Sequence, residues 1–373
     1  MTMLAPMDWQ SEIITRNGLA GLRRMLLAEP CKIAYLGASV TAQKEGYRGL
    51  LEQWFTETFR QPHSAINAGF GGVGSISGVF VMDDQVISQQ PDLCLIEYST
   101  GDMGGQTTLT EIAGAVEGMV LKLRDIGCQV CFLYLYRRDE ALDNGHPVIA
   151  EYERVAAHYG IPSLHIGRLI QQKIAAGCFS ADDIVRDKVH TTAKGSKVTA
   201  DCITGGLQIV FDASSEEETD AVRNPAVPLA SRNYHRTQIV PATRRMLRDP
   251  ENFAAGRFRF AHDYIRIDNA NEIGFVPTGE LVGLLVIVGR DAGIIEVSTT
   301  ESTCQYTLWD EWCNYNRLTT VILSRPLSSG TSVRIRLTGK HADYAAINAN
   351  ANSTTLFPKH LHVVGFLVRG ESA

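Results

Sequence analysis

The chain has 373 residues, of which 45% are hydrophobic and 20% are charged, which is the composition of an ordinary globular protein. Its net charge of -6 argues against a partner that is a nucleic acid or an anionic membrane, because such partners need clustered Lys and Arg. The length exceeds what one compact core usually needs, so two domains are expected.

Residues 1–30 are predicted to form a helical extension. Charged side chains interrupt this stretch, so we expect neither a signal peptide nor a membrane-spanning helix there, and the expected location is cytoplasmic.

Short apolar runs alternate with amphipathic segments between residues 31 and 212. The runs are nearly continuous and are flanked by Gly, Pro or Asp, as expected of strands buried on both faces of a parallel sheet. They cover 31–37, 64–67, 92–98, 129–136 and 162–167. Strands that alternate with helices predict a three-layer α/β sandwich with a central parallel sheet.

Several residues mark the ends of the predicted helices. Thr108 followed by Glu111 is typical of a capping box, and Gly127 is placed to end the same helix. Pro147 at a first turn and Gly160 after a last turn bracket a further helix.

The pattern changes beyond residue 212. Residues 213–235 are acidic and then contain prolines, which predicts a linker. Residues 236–373 show period-two alternation, for example Val333, Ile335 and Leu337 on one face of a strand. Several such strands without an intervening helix predict an antiparallel, jelly-roll-like β-sandwich as an accessory domain.

The eight cysteines are predicted to be buried free thiols, because most lie inside apolar stretches. Cys128 and Cys131 form a C-x-x-C, but no second pair follows at a zinc-ligand spacing. We therefore expect no metal and no other cofactor.

Ser39 is the first candidate for chemistry, because ligands bind beyond the carboxyl ends of the strands in an open parallel sheet. It lies just after the first apolar run, where Gly37 allows a tight turn. A serine there is exposed at the sheet edge beside backbone N–H groups that can bind an oxyanion. Taken alone, a simple strand-to-helix turn is the commoner explanation of this pattern.

Asp187 and His190 lie in the last loop of this region, just before a helical stretch over 194–211 for which Thr192 is a predicted N-cap. An imidazole can remove the proton of a serine hydroxyl, and a carboxylate can orient that imidazole. The alternative is a capped helix start with an incidental exposed histidine.

Four segments in order resemble the motifs of the SGNH/GDSL hydrolases. G-A-S-V-T contains Ser39, and D-x-V-H-x-T contains Asp187 and His190. Between them, INAGFGGVGS (66–75) and PDLCLIEYSTGD (91–102) resemble the second and third motifs. The resemblance covers roughly residues 31–210 and implies a flavodoxin-like SGNH fold.

The resemblance also implies roles for individual residues. Ser39 attacks an ester carbonyl, His190 acts as base and then as acid, and Asp187 orients His190. The backbone N–H groups of Ser39 and Gly72 bind the oxyanion. Gly101 stands where the family has an asparagine whose side chain donates to the oxyanion, so that donor is missing.

Three explanations of Gly101 are open. The remaining backbone donors suffice, with help from a side chain such as Asn67 or Asn144; the site has shifted toward transfer to a sugar hydroxyl; or the domain is a weakened enzyme retained for binding. Ala38, where relatives often have an aspartate, carries little weight.

Other candidates are weaker. Glu97 is a candidate buried support for the active-site loops, with a solvent-facing position as the alternative. His146 is a candidate for lining the cleft, although a surface position is favoured. An aromatic cluster is a candidate carbohydrate platform, although packing of the sandwich is favoured. Its members are Tyr306, Trp309, Trp312 and Tyr315.

The leading hypothesis is a serine esterase that removes a short acyl group, with acetyl as the first choice, from a carbohydrate-like substrate. The alternatives are an O-acyltransferase that modifies a polysaccharide or glycoside, and a glycan-binding protein on an inactive fold. The expected partner is a small-molecule or glycan ester, with no nucleic acid and no membrane. The oligomeric state is left open.

Overall fold

The computed structural model describes residues 11–105, 107–141, 146–213, 227–258, 262–310, 313, 315–340 and 358–370. The chain divides into two compact units, Met1–His235 and Arg236–Ala373. In the described part of the chain, no helix is both long enough and apolar enough to cross a membrane.

The first unit is built on a six-stranded sheet with the strand order β1-β6-β5-β4-β2-β3. The strands are β1 (Ile13–Ile14), β2 (Lys32–Gly37), β3 (Ser64–Gly69), β4 (Leu93–Glu97), β5 (Gln129–Leu133) and β6 (Ser163–Leu164). Strands β2 to β6 pair in parallel, and β1 pairs antiparallel with β6. The central parallel sheet is confirmed, and a short antiparallel strand is added at one edge.

Helices cover both faces of this sheet. Helices α1, α3, α8 and α10 share one core with the strands, while α4, α6 and α7 contact one another on the other side. The helices are α1 (Ala20–Ala28), α2 (Ser39–Ala42), α3 (Tyr47–Phe59), α4 (Ser75–Gln85), α5 (Ser99–Met103), α6 (Leu109–Asp125), α7 (Pro147–Tyr159), α8 (Ile166–Ala175), α9 (Ala181–Ile184) and α10 (Ala193–Asp212). The three-layer α/β sandwich is therefore confirmed.

The start of the chain differs from the predicted helical extension over residues 1–30. Residues 11–30 contribute a strand, β1, as well as helix α1. Leu19, Leu22 and Leu26 are buried in the core of the first unit. A two-residue strand carries no detectable periodicity, which is why the sequence did not indicate it.

The end of the predicted linker is bound to helix α6. The Glu117 carboxylate accepts hydrogen bonds from the backbone N–H groups of Leu229 and Ala230. Tyr234 is fully buried, and its backbone lies so close to Gly118 that a Cβ there would be 2.5 Å from the Tyr234 carbonyl carbon. Residues 227–235 are therefore part of the first unit, and residues 214–226 lie outside the described residues.

The second unit contains two antiparallel sheets, as predicted. Their orders are β10-β15-β12-β13 and β14-β11-β16-β9-β8, and β7 also pairs with β16. The strands are β7 (Thr237–Pro241), β8 (Ala254–Phe258), β9 (His262–Ile267), β10 (Glu272–Phe275), β11 (Glu280–Val288), β12 (Ile294–Ser298), β13 (Thr303–Thr307), β14 (Arg317–Leu327), β15 (Val333–Leu337) and β16 (Leu361–Arg369). Short 3-10 turns occur at Ile87–Gln89 and Arg244–Met246.

One apolar core joins the two sheets into a β-sandwich. Val333, Ile335 and Leu337 are buried in it, on the face that the alternation predicted. Phe275 of one sheet stacks on Phe366 of the other, with ring centroids 4.2 Å apart.

The predicted helix boundaries that border the candidate site are present. Thr192 caps α10, and its hydroxyl accepts a hydrogen bond from the Gly195 N–H at 2.9 Å. Thr108 caps α6 in the same way at 3.3 Å from the Glu111 N–H. Because α10 begins three residues after His190, the Thr192 cap fixes where the last loop of the first unit ends.

Thr192→Ala is expected to destabilise the chain by about 1 kcal/mol, since removal of a hydroxyl N-cap typically costs 0.5 to 2 kcal/mol. Thr108→Ala is the matched control, because its cap bond is longer and the residue is exposed. Thermal unfolding should show a larger fall in Tm for Thr192→Ala. Equal falls in Tm would mean that the Thr192 cap contributes no more to stability than the Thr108 cap does.

Candidate active site

Ser39 begins helix α2, at the carboxyl end of strand β2. The turn between them is tight. A Cβ at Gly37 would lie 2.5 Å from the backbone oxygen of Glu97 and 2.3 Å from the Thr41 hydroxyl oxygen. Only glycine fits there, which explains the first residue of the G-A-S-V-T motif. The turn presents Ser39 at the sheet edge, where it is partly exposed.

The structure brings the three predicted triad residues together. His190 Nε2 lies 3.0 Å from Ser39 Oγ, and His190 Nδ1 lies 2.8 Å from Asp187 Oδ2. With its proton on Nδ1, the imidazole donates to the carboxylate, and Nε2 can accept the proton of the serine hydroxyl that it contacts. These distances are those of a nucleophile, a base and a group that orients the base.

Asp187 is held by its own loop. Its Oδ1 accepts hydrogen bonds from the backbone N–H groups of Val189 at 2.9 Å and His190 at 2.8 Å. Partial burial raises the pKa of Asp187, but these hydrogen bonds and the His190 ring outweigh burial and hold its pKa below the usual range. The carboxylate is therefore ionised at neutral pH and faces Nδ1 of His190.

A second connection ties the Ser39 turn to the His190 loop. Gln43 Nε2, just beyond α2, donates to the Thr191 backbone oxygen at 3.0 Å. The Thr191 hydroxyl lies 2.7 Å from that of Ser196, which in turn donates to the Glu45 backbone oxygen. Gln43 and Thr191 were not predicted as positioning residues, and nothing in the local pattern around Gln43 indicates its role.

Glu97 is fully buried at the end of β4, behind the Ser39 turn. It accepts hydrogen bonds from the Thr100 hydroxyl at 2.6 Å, the Thr100 N–H at 3.3 Å and the Thr41 hydroxyl at 3.2 Å. Burial raises the pKa of Glu97 to about 7, although these bonds oppose the rise. The solvent-facing alternative is wrong, and the side chain joins α2 to α5.

The glycine loop of the second motif lies beside Ser39. A Cβ at Gly71 would be 3.7 Å from the Ser39 Cβ, and Gly72 has a left-handed φ of +77°. Among the described residues, no hydrogen-bond partner is found for the Gly72 N–H. This N–H therefore stays available to a ligand near Ser39.

Gly101 is packed so tightly that no side chain fits. A Cβ at this position would lie 2.3 Å from the Val73 backbone oxygen and 3.3 Å from the Ala38 Cβ. The space of the family's asparagine is therefore occupied by the backbone of the second-motif loop. The difference from the family's pattern at Gly101 is therefore more than the loss of one side chain, because the backbone around it is also packed closely.

Asp102 holds α5 against the second-motif loop. Its Oδ1 accepts from the Ser75 N–H at 2.8 Å, and its Oδ2 accepts from the Tyr152 hydroxyl at 2.7 Å. Burial raises the pKa of Asp102 to about 6, against the effect of these bonds. A Cβ at Gly74 would lie 2.1 Å from Oδ1, so glycine is required beside this carboxylate.

Arg137, in the loop after β5, is a further buried residue near α5 that sequence analysis missed. Its Nη1 donates to the Thr100 backbone oxygen at 2.8 Å, and it forms a two-pronged pair with Asp139. Lys188, between Asp187 and His190, also lies 3.3 Å from Asp139. The sequence signal for Arg137 was its position just after an apolar run, at the edge of the sheet where ligands bind.

Two of the remaining polar candidates have partners of their own. Asn67 is exposed on β3, and its side-chain oxygen accepts from the Gly69 N–H at 3.1 Å. The His146 side chain is only 11% exposed and lies 3.3 Å from Glu140, so the favoured surface position was wrong. Asn144 lies outside the described residues.

The aromatic cluster is mainly packing. Trp309 is 3% exposed and belongs to the core of the sandwich, so its ring face is not available to a sugar. The Tyr306 hydroxyl is hydrogen-bonded to the Ser324 hydroxyl, and Tyr315 is 51% exposed. Trp312 lies outside the described residues.

All eight cysteines are free thiols, of which Cys178 and Cys304 are exposed and the others buried. The exposure of these two departs from the general expectation of burial. Burial raises the pKa of Cys128 and of Cys131, so the C-x-x-C is held as neutral thiols.

The parallel sheet, the order of the four motifs and the place of Ser39 fit the flavodoxin-like SGNH fold, followed by a β-sandwich. The chain is similar to the crystal structure of a two-domain esterase (CEX) active on acetylated mannans. Identity is 20%, the match covers 99% of this chain and 100% of that chain, and the TM-score is 0.75. A structure of such an esterase co-crystallized with mannopentaose matches at 19% identity with the same coverage and TM-score.

At this identity the likeness shows the fold, and both units of the chain are included in it. No protein-family model matches the sequence, and no curated protein matches it.

Gly101→Ala is expected to lower stability, because overpacking typically costs about 1 to 3 kcal/mol. This exceeds the gain of up to about 1 kcal/mol that alanine brings within a helix. Gly71→Ala is the control, since its Cβ would make an ordinary contact at 3.7 Å. Thermal unfolding should show a lower Tm for Gly101→Ala, and a Tm at or above that of Gly71→Ala would contradict the packing argument.

Glu97→Gln is expected to flatten the pH dependence of stability. The pKa of Glu97 is raised from an ordinary value of 4.5 to about 7, so the folded chain holds this proton more tightly than the unfolded chain. The stability that the proton contributes is complete below pH 4.5 and is lost as the pH rises through 7. Glutamine does not titrate, so Tm should fall less over this window in the variant.

The control for this measurement is Glu57→Gln, an exposed carboxylate on α3. Asp102 adds a pH dependence of the same sign to all three proteins, so the comparison is of the difference in slope between them. If wild type and Glu97→Gln show the same slope of Tm against pH, Glu97 is ionised throughout the window.

Proposed function

We propose that this chain is a serine esterase that hydrolyses short-chain acyl esters, acetyl above all, on a glycan. The contact of His190 Nε2 with Ser39 Oγ at 3.0 Å carries the proposal, because it places a base on the hydroxyl of a serine at the ligand-binding edge of the sheet. The side chain of Asp187, 2.8 Å from Nδ1, completes the arrangement.

The reaction proceeds through an acyl-enzyme. Ser39 Oγ attacks the ester carbonyl while His190 Nε2 takes its proton, and the imidazolium is stabilised by the ionised Asp187. The C–O bond to the sugar breaks, and His190 returns the proton to the departing alkoxide. A water molecule then attacks the acyl-enzyme with His190 as base, which releases the carboxylic acid and restores Ser39.

Backbone groups stabilise the oxyanion in this scheme. The N–H groups of Ser39 and Gly72 are the donors, and position 101 supplies no side-chain donor because it has no room for one. Loss of one donor typically lowers turnover by a factor of about 100 to 1000. We therefore expect a slower enzyme than one with a complete set of donors, acting on esters with good access to the site.

Exposure of the site supports hydrolysis over transfer to a sugar hydroxyl. The side chains of His190 and Asp187 are 20% and 40% exposed, so water reaches the base. An acyltransferase needs to exclude water from its acyl-enzyme. The fully connected triad also argues against an inactive glycan-binding protein, which has no need to hold three catalytic groups in register.

An acetylated mannan is the first natural ester to test. The two-domain esterase with the similar fold is active on acetylated mannans, and its likeness includes the β-sandwich as well as the α/β unit. The glycine-rich loop beside Ser39 favours short acyl groups, since its apolar side chains, Phe70 and Val73, are buried and expose little surface to hold a long chain.

The expected result is turnover of p-nitrophenyl acetate, with a lower kcat/KM for the butyrate and little for the octanoate. Ser39→Ala should lose about a million-fold in kcat and Asp187→Asn about ten thousand-fold, as for other serine triads. Ser64→Ala, an exposed serine at the start of β3, is the matched control and should retain activity. Activity that survives Ser39→Ala would refute the nucleophile.

Acetate release from an acetylated mannan, measured with and without an added glycoside acceptor, checks the substrate class and the fate of the acyl group. Release that does not change with the acceptor supports the hydrolase. Acetylated acceptor as the main product would show a transferase, and labelling of Ser39 without any turnover would show a weakened enzyme.

A further inference from the structure

Three side chains of metal-binding type meet in the second unit. They are Asp291, after strand β11, and His360 and His362, at the start of β16. One ligand atom from each residue lies within 4.8 Å of the other two. Neither the triad nor the proposed esterase reaction uses these residues.

The backbone fixes the cluster. His362 pairs with Ile287 across the β11–β16 ladder, so the two ends of these strands are joined. The His360 N–H donates to the Asp291 backbone oxygen at 2.9 Å, which places the turn after β11 against the start of β16. His360 and His362 are two residues apart along extended chain and so point to the same side, with nearly parallel rings at an interplanar angle of 8°.

The distances match a metal coordination shell. Asp291 Oδ2 lies 3.2 Å from His360 Nδ1 and 3.5 Å from His362 Nε2. Zinc bonds of 2.0 to 2.2 Å in tetrahedral geometry separate neighbouring ligand atoms by about 3.3 Å. The contact of Asp291 with His360 is a hydrogen bond in the ion-free chain, and both contacts also have the spacing of neighbouring ligand atoms around a shared ion.

His362 gives an independent indication. His362 is only 9% exposed, yet no hydrogen-bond partner for its Nε2 is found among the described residues. A buried polar atom without a partner is uncommon and costs stability. Nε2 lies 3.5 Å from Asp291 Oδ2 without making a hydrogen bond, and an ion bound by both residues would give Nε2 a partner.

The charge of the surroundings permits a cation. The Asp291 carboxylate supplies one negative charge, and two neutral imidazoles add none. One opposing charge is that of Arg266, which pairs with His362 across the sheet but is exposed, so solvent screens it. Lys359 directs its ammonium to the Arg290 backbone oxygen.

We propose that Asp291, His360 and His362 bind one divalent first-row transition-metal ion of the zinc class. Two imidazole nitrogens with one carboxylate oxygen suit zinc, nickel or copper, whereas magnesium and calcium prefer sites made of oxygen alone. Three protein ligands leave a fourth position for water or a ligand. The ion links the turn after β11 to the first residues of β16.

The test is titration of Zn²⁺ into the chelator-treated full chain by calorimetry. The exposed thiols of Cys178 and Cys304 are competing zinc ligands, so the background protein carries Cys178→Ser and Cys304→Ser. One zinc per chain with a Kd in the micromolar range or below is expected, with no comparable binding of Mg²⁺. Zinc should also raise Tm, because an ion that binds only the folded chain stabilises it.

Asp291→Asn and His360→Ala are expected to weaken zinc binding at least tenfold and to abolish the rise in Tm. Both side chains are about a quarter exposed, so these variants should fold even if His362→Ala does not. The matched controls are Asp263→Asn, an exposed carboxylate on β9, and His235→Ala in the first unit, which should bind zinc as the background does.

Absence of stoichiometric zinc binding in the folded background would overturn the proposal. So would zinc binding that survives both Asp291→Asn and His360→Ala, because the ion would then lie elsewhere. The experiment measures zinc binding and Tm and does not measure ester hydrolysis. A negative result here is therefore distinct from a failure of the proposed esterase function.

Discussion

The contact between Ser39 Oγ and His190 Nε2 joins two residues that are 151 positions apart, so its length depends on how the first unit packs. Ser39 is placed by β2, and His190 by a loop that ends at the Thr192 cap of α10. Gln43 bridges the two segments by its hydrogen bond to Thr191. A hydrogen bond between side chains tolerates only a few tenths of an ångström of displacement. The sheet and α10 therefore set the approach, and the Gln43 bridge limits its variation.

Helix α5 is the junction behind this contact. Glu97 connects it to the Ser39 turn through Thr41 and Thr100, and Asp102 connects it to the second-motif loop through Ser75. Burial of a carboxylate is costly unless hydrogen bonds compensate, and here burial raises the pKa of both groups. A core of apolar residues would avoid that cost but would not specify the orientation of two turns. Burial of the two carboxylates costs stability, but their hydrogen bonds fix the orientation of the two turns at the edge of the sheet where ligands bind.

Sequence patterns predicted the parts of this arrangement that rest on local rules. The apolar runs indicated the parallel strands, the end of the first run indicated Ser39, and the loop before the predicted last helix contained Asp187 and His190. The patterns failed where a contact joins distant segments through side chains without a motif, as for Gln43 and Arg137. They also failed for β1, which is too short to show periodicity, and for the burial of His146, which depends on the fold around it. The sequence patterns also did not predict that His360 and His362 face Asp291, because strand pairing alone brings residues 291 and 360 together.

Gly101 bears most directly on the chemistry. A site that had merely lost the family's asparagine would keep the room for it, and a Cβ would be accepted. Here the Val73 backbone oxygen fills that room, and Ala38 beside Ser39 closes it from the other side. The packing of α5 against the second-motif loop is thus a built feature, held by Asp102. In the reaction that we propose, an oxyanion formed at Ser39 depends on backbone N–H groups, which are fixed in direction by the turns that carry them and lose no side-chain entropy on binding. Fewer donors in rigid positions are consistent with the slower esterase of that proposal.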